Sequence, residues 1–345
     1  MRASVVIRSK DEAARLRLTL ASLARQTEPA EVVVVNDGSS DQTSHVIDDA
    51  ARELRLIRVD HGAAKGRSAA SNAGAEAATG DILIFLDGDT LAAPDLVERH
   101  LALHRATSGL VARGETHHLR CTRFLEDPET GTPRPGEEGR VLAMTDGERA
   151  RLRVTRREVQ SDFGAIERRA QRGVYPGTGP RVLWDLEMDA LRNHTDCPVL
   201  WAAASGSNQS VDRKAYLAVG GEDPELDTNE HRQVALCLCN AGLRMAPVNG
   251  ARTYHLTHRH GWRDPLTETA WEGIFYRAHP LPEVALLPLL WGSLADKPLV
   301  PEAARITSLP ALAEAARRLA GVLGIENVRN AHFAATISLR PELAL

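Results

Sequence analysis

Short, unbroken apolar runs alternate with helix-patterned stretches through the first part of the chain. SVVI (4–7), EVVVV (31–35), LIRV (56–59) and ILIFLD (82–87) are rich in β-branched residues and apolar at successive positions, the pattern of strands covered on both faces. Between them, Leu16, Leu20 and Leu23 fall at helical spacing within residues 11–25. DQTSHVIDDAARELR (41–55) reads as a helix with Asp41 as its N-cap, and GRSAASNAGAEAA (66–78) as a small-residue helix ended by Gly80. This βαβαβαβ order predicts an α/β fold, a mostly parallel Rossmann-like sheet flanked by helices. Ligands in such sheets bind outside the carboxyl ends of the strands.

The pattern changes further on. EDPETGTPRPGEEG (126–139) has a loop composition that denies it regular structure, and residues 144–173 carry a strongly charged helical pattern. YPGTGP (175–180) precedes a second helix near 181–193. EHRQVALCLCNAG (230–242) predicts a helix closed by Gly242, and a strand follows within GARTYHLTHRHGW (250–262). The tail, from about Trp262, holds prolines at 280, 282, 288, 298 and 301 and an amphipathic helix over residues 301–324.

Composition narrows the class. The 345 residues are 43% hydrophobic and 26% charged, enough apolar material for a sizeable core, and the net charge of -4 argues against a nucleic-acid partner. No apolar run reaches the ~18 residues of a spanning helix, so no transmembrane segment is expected. The chain enters a strand directly, without a long apolar leader; a cytoplasmic protein is expected. The four cysteines, Cys121, Cys197, Cys237 and Cys239, are expected to be reduced and structural.

The run DILIFLDGDTL ends a buried strand with Asp87 and Asp89. In extended chain, residues i and i+2 project to one side roughly 6.5 Å apart, so these carboxylates can share a cluster. A divalent cation relieves their repulsion, and oxygen ligands suit Mg²⁺ or Mn²⁺. VVVVNDGSSDQT (32–43) places Asn36 and Asp37 at another strand end, with Gly38 turning the backbone; the arrangement offers a nucleoside carboxylate and amide partners. The sequence contains neither the glycine fingerprint of dinucleotide sites nor a P-loop, and the acidic spacing does not fit an EF-hand.

On these motifs, with SVVIRSKDEAARLRLTLASLARQT, GRSAASNAGAEAATGDILIFLDGDT, NQSVDRKAYLAVGGED and NEHRQVALCLCNAGLR, the chain resembles the inverting family 2 glycosyltransferases of the glycosyltransferase-A fold. The resemblance covers roughly residues 3–105 and 199–260. It implies a nucleotide-sugar donor, most simply a UDP-sugar, with Mn²⁺ or Mg²⁺ as cofactor. Residues 1–112 would be the donor-binding half, 113–196 a charged insertion serving as lid or acceptor platform, 197–262 the acceptor and catalytic half, and 263–345 a helical C-terminal extension. Asp37 would contact uracil, with Asn36 standing where the family carries a second acid and Gly38 at the turn. Arg67 matches the basic residue that opens the small-residue helix. Asp87-Gly88-Asp89 resembles the family's D-x-D, the first carboxylate leaning to the ribose and the second holding the metal.

Counting back from Gly242, the family's acidic pair falls on Glu230 and His231, so the catalytic base is open between Glu230, His231 and Asp227, with Glu230 favoured. A histidine base would titrate near neutrality and lose activity in mild acid. Relatives supply a histidine to the metal or diphosphate from the region of His255, His258 and His260; His255 and His258 are the candidate ligands. Arg153, Arg156 and Arg157 are candidates to meet a donor phosphate or an anionic acceptor, and Gly206 and Asn208 fall at the acceptor-side floor. The processive synthases' membrane helices and Q-x-x-R-W motif have no counterpart here, which points to single additions to a small-molecule, glycan or peptide acceptor. The C-terminal apolar stripe suits packing or a homodimer face. Two other classes share parts of this pattern: a sugar-phosphate nucleotidylyltransferase and a non-catalytic nucleotide-sugar-binding relative.

Overall fold

The structure, a computed structural model, describes residues 1–172, 182–258, 265–295 and 299–338. Strands β1 (Ala3–Ser9), β2 (Glu31–Asp37), β3 (Leu56–His61) and β4 (Ile82–Asp87) lie parallel in the order β3-β2-β1-β4. Their runs are apolar at consecutive positions because helices cover both faces. Val5, Ile7, Val34, Ile84 and Leu86 face one side, packed with Leu16 and Leu20 of α1 (Ala13–Leu23) and Ile47 of α2 (Thr43–Ala50). Val6, Val33, Leu83 and Phe85 face the other, against Ala75 of α3 (Arg67–Ala77). The small residues of α3 allow close approach to the sheet: a Cβ at Gly74 would lie 2.4 Å from Val6 Cγ1.

After β4 the chain turns at Gly88 and Asp89 into β5 (Thr90–Ala92), α4 (Leu96–Ala106) and β6 (Leu110–His118). A hairpin, β7 (Leu125–Asp127) and β8 (Thr132–Pro133), stands apart, and β9 (Gln171–Arg172) pairs with β6. β10 (Gln209–Asp212) enters antiparallel between β4 and β6, and β11 (Arg244–His255) runs parallel to β6 and antiparallel to β5. The path is therefore β3-β2-β1-β4-β10-β6-β11-β5. The carboxyl ends of β1, β2, β4, β6 and β11 converge on one edge.

Several expectations give way to local chemistry. Asp41 is not the N-cap of α2, which starts at Thr43 after Gln42. Its Oδ1 accepts from Thr43 N (2.9 Å) and its Oδ2 from Ala13 N (2.9 Å), tying the starts of α1 and α2 together. The 66–78 helix ends at Ala77, short of Gly80. The 126–139 loop contains the β7–β8 hairpin. Residues 144–173 break into helices Asp146–Leu152, Arg156–Ser161 and Phe163–Arg169, because capping boxes at Thr145/Glu148 and Thr155/Glu158 start new helices. The stretch 301–324 is a 3₁₀ turn followed by helix Leu309–Arg318, which Ser308 caps and Pro310 opens. Its apolar stripe, Leu309, Leu312 and Ala315, packs into the main core. No described helix is long and apolar enough to cross a membrane. The 175–180 loop lies outside the described residues.

A buried polar relay supports the crevice from below. His100 Nδ1 meets Ser210 Oγ at 2.7 Å and its Nε2 meets Asn208 Oδ1 at 2.8 Å, while His104 Nε2 reaches the same hydroxyl at 2.8 Å. Burial, with His104 nearby, pushes His100 down to about 4 from its usual 6.5. The unfolded chain therefore binds a proton that the fold refuses, and stability falls as pH drops from 6.5 towards 4, by about 3 kcal/mol from this group. Denaturant unfolding of the parent and His100→Gln at pH 7 and 4.5 checks it: the variant should lose that part of the pH dependence. An unchanged pH dependence would refute the assignment.

Candidate active site

At the end of β2, Asn36 and Asp37 organise the loop that covers them. Asn36 Nδ2 donates to Asp60 Oδ1 (3.0 Å) and its Oδ1 accepts from Ser39 N (3.1 Å). Asp37 Oδ1 meets His61 Nδ1 (2.7 Å) and accepts from Lys65 N (2.8 Å); Oδ2 accepts from Gly66 N (3.0 Å). Burial alone would raise Asp37, but His61 and these backbone donors hold it below the usual carboxylate range. Gly38 has φ +69°, and a Cβ there would lie 2.5 Å from Ala64 N, so this crossing of loop and strand end requires glycine. Arg67 is the first residue of α3, and its backbone N donates to Asp227 Oδ1 at 3.3 Å. Asp227 thus sits at the N-terminus of α3.

The D-x-D pair divides. β4 ends at Asp87 and the chain turns through Gly88, so the extended geometry that would align both carboxylates is lost. Asp87 Oδ1 accepts from Arg8 Nε at 3.1 Å. Asp89, buried, turns the other way: its Oδ2 meets His258 Nε2 at 2.7 Å and His255 Nε2 at 3.2 Å. These three residues form the metal-capable cluster among the described residues, their ligand atoms all within 4.8 Å of one another; Asp87 is outside it. His260 lies outside the described residues. Burial opposes ionisation of Asp89, but the two imidazoles outweigh it and hold the carboxyl well below its usual range. Burial would likewise lower His255, and Asp89 raises it.

Across the crevice, Glu230 opens the helix Glu230–Asn240 and is 1% exposed. Its Oε1 accepts from Arg8 NH1 at 2.8 Å. Burial would raise Glu230, but Arg8 and then His231 keep it well below the carboxylate range. Arg8 therefore bridges Asp87 and Glu230, with Glu222 Oε2 also 3.8 Å from its NH1. Burial pushes Glu222 up to about 8. His231 Nε2 lies 2.9 Å from Arg232 NH1, which can only donate, so this nitrogen accepts and the ring's proton belongs on Nδ1, 3.8 Å from Glu230 Oε2. Burial lowers His231, keeping that neutral form.

One cavity of about 240 Å³ reaches part of this set: Asn36, Asp37, Asp89, Asp227 and His258 do not line it. Arg67, Asp87, His255, Glu230, His231, Arg113 and Trp291 line it, with Arg8 between Asp87 and Glu230. Gly206 lines it, but Asn208 does not: fully buried, it donates to Ala251 O (2.9 Å) beneath the floor. Arg153 and Arg156 are spent on the hairpin, on Glu129 O (2.9 Å) and Glu129 Oε1 (3.0 Å), and neither these nor Arg157 lines the cavity.

Residues 4–124 match the profile of Glycosyl transferase family 2. An uncharacterised glycosyltransferase of Bacillus subtilis (strain 168) is 38% identical to the chain over 120 residues, covering 33% of this chain and 30% of that protein. The validoxylamine A glucosyltransferase of Streptomyces hygroscopicus subsp. jinggangensis is 44% identical over 105 residues, covering 29% and 25%. The chain thus spans about a third or less of the length of these relatives. S. aureus TarS aligns over 88% of this chain and 41% of its own at 16% identity, with a TM-score of 0.51, a likeness of fold. The fold is glycosyltransferase-A.

Some residues of the candidate site carry no motif signal. Arg8, Glu12, Arg113 and Glu222 are among them. A charged residue closing an apolar strand run, as Arg8 closes VVI, is the signal that could have found the first. Glu12 is pushed well above its usual range by burial and by Asp89 and Asp87, and its Oε2 lies 3.0 Å from where a Cβ on Gly88 would stand. Nothing in its local sequence marks it.

Proposed function

We propose that the chain transfers a single sugar from a UDP-sugar to an acceptor hydroxyl with inversion, assisted by a divalent cation. The observation that carries this reading is the joining, in one cavity, of His255 from the Asp89 cluster and the ionised Glu230. Single displacement needs leaving-group stabilisation on one side of the anomeric carbon and a base on the other. Asp37, Arg67 and Asp87 stand at the nucleotide side, and Glu230 is placed to take the acceptor's proton.

One carboxylate and two imidazoles fit a divalent transition ion, Mn²⁺ more than the oxygen-seeking Mg²⁺. Bound by Asp89, His255 and His258, it would supply Lewis-acid stabilisation of the departing diphosphate. Arg8 keeps Glu230 ionised through Oε1.

Incubation with a panel of UDP-sugars and Mn²⁺ tests the reading. UDP release that stops in EDTA is expected. Pyrophosphate release from UTP would instead support a nucleotidylyltransferase, and binding without turnover a non-catalytic relative.

A further inference from the structure

The wall of the cavity includes a buried cation, Arg113, whose hydrogen-bonding capacity is only partly used. Arg113 on β6 is 2% exposed, and Arg232 is 8% exposed; both pair with one carboxylate, Glu187, itself 1% exposed. The distances are 2.6 Å from Arg113 NH1 to Glu187 Oε2 and 2.9 Å from Arg232 NH2 to Glu187 Oε1. Arg232 is fully engaged: Nε donates to Ala202 O (2.8 Å), NH1 to Asn229 Oδ1 (2.9 Å), and its guanidinium lies 5.1 Å from the centre of the Trp291 ring. Arg113 differs. Its hydrogen bond to Ala203 O and its ion pair both use NH1, and its buried Nε has no partner. A guanidinium presents five donors, and burying one with donors unspent is costly. The two guanidiniums exceed their carboxylate by one positive charge, and the nearest acid along the helix, Glu230, is committed to Arg8.

We propose that this part of the cavity wall is an oxyanion site that selects acceptors bearing a phosphate or carboxylate beside the reacting hydroxyl. The inference rests on the transferase reading for the word acceptor, but the anion site itself does not. Along the backbone it is set back from the Asp89 cluster. Arg113 precedes His118, the residue whose ring packs 5.2 Å from His255, by five positions on β6, about 16 Å along the strand. The anion would instead sit beside Arg232, two residues from Glu230, so that binding it brings the acceptor to the base.

Calorimetric titration in EDTA, which keeps any cation from bridging phosphate to Asp89, tests the site with inorganic phosphate and, separately, acetate. The parent should bind at least one, and which one binds identifies the acceptor's anion. Arg113→Gln should weaken binding about tenfold or more, as expected for losing charge-assisted hydrogen bonds. Arg113→Lys, which keeps the charge against Glu187 but lacks the Nε donor, should fall between, and it decides the matter if circular dichroism shows Arg113→Gln unfolded. Arg67→Gln, altered on the nucleotide side, should bind the anion as the parent does. No binding of either anion, or binding lost in Arg67→Gln and kept in the Arg113 variants, overturns the proposal. UDP release by the parent is scored separately: its absence with anion binding intact would remove the transferase reading and leave the oxyanion site standing.

Discussion

Asp89→Ala should lose cation-dependent donor binding and lower transfer by about 10³-fold, the scale of removing several kcal/mol of Lewis-acid stabilisation. Asp89 is the one carboxylate of the cluster and the point at which His255 and His258 meet. The loss should be local, since the backbone carbonyl of Asp89 accepts from Leu256 N at 2.8 Å and ties the turn to the end of β11 without the side chain. Thermal unfolding with UDP reads the result directly, because a ligand that binds the folded state raises its stability in step with affinity. The parent should be stabilised by UDP with Mn²⁺ and not with EDTA, and Asp89→Ala in neither. Asp87→Ala should retain part of the effect, because that carboxylate faces Arg8. Equal stabilisation of the parent in EDTA would overturn the cation's role.

The β3-β2-β1-β4 part of the sheet was legible in the sequence because its signals are local. Four apolar runs, each covered on both faces, leave few folds open, and strand ends place their polar residues in the crevice without further information. Asn36, Asp37 and Asp87 could be located in this way. What stayed hidden depends on distant segments meeting. That Asp89 would turn to β11 and Asp87 to Arg8 follows from a single turn at Gly88, and alternation along an extended chain pointed to the opposite result. The pairing of Arg8 with Glu230 spans 222 residues, and no pattern of either neighbourhood carries it. Arg113 was hidden for a related reason: it lies mid-strand in β6, and only the arrival of Glu187 and Arg232 from two later helices gives its position meaning. The arginines that composition made conspicuous, Arg153 and Arg156, serve a hairpin instead.

Glu230→Gln should reduce transfer by about 10²- to 10⁴-fold with UDP affinity nearly unchanged, since it removes a proton acceptor and leaves the nucleotide side intact. Glutamine keeps the size and a carbonyl oxygen for Arg8 NH1, and Arg8 retains Asp87, so the buried cluster has a means of staying in place. The rival bases are placed less well. His231 already accepts from Arg232 at Nε2, and its remaining nitrogen carries the proton, so His231→Ala should cost about tenfold or less, the scale of one hydrogen bond to a charged group. Asp227 stands at the N-terminus of α3, and Asp227→Asn should act on donor KM more than on kcat. The pH profile separates the same candidates by sign. A base held well below the usual carboxylate range by Arg8 is ionised throughout mild acid, so the rate should stay level as pH falls from 7.5 to 6, about where a histidine base would lose its activity. A near-parent rate for Glu230→Gln, together with a His231→Ala variant that binds UDP but transfers nothing, would move the base to the histidine and leave Glu230 as the partner that holds Arg8.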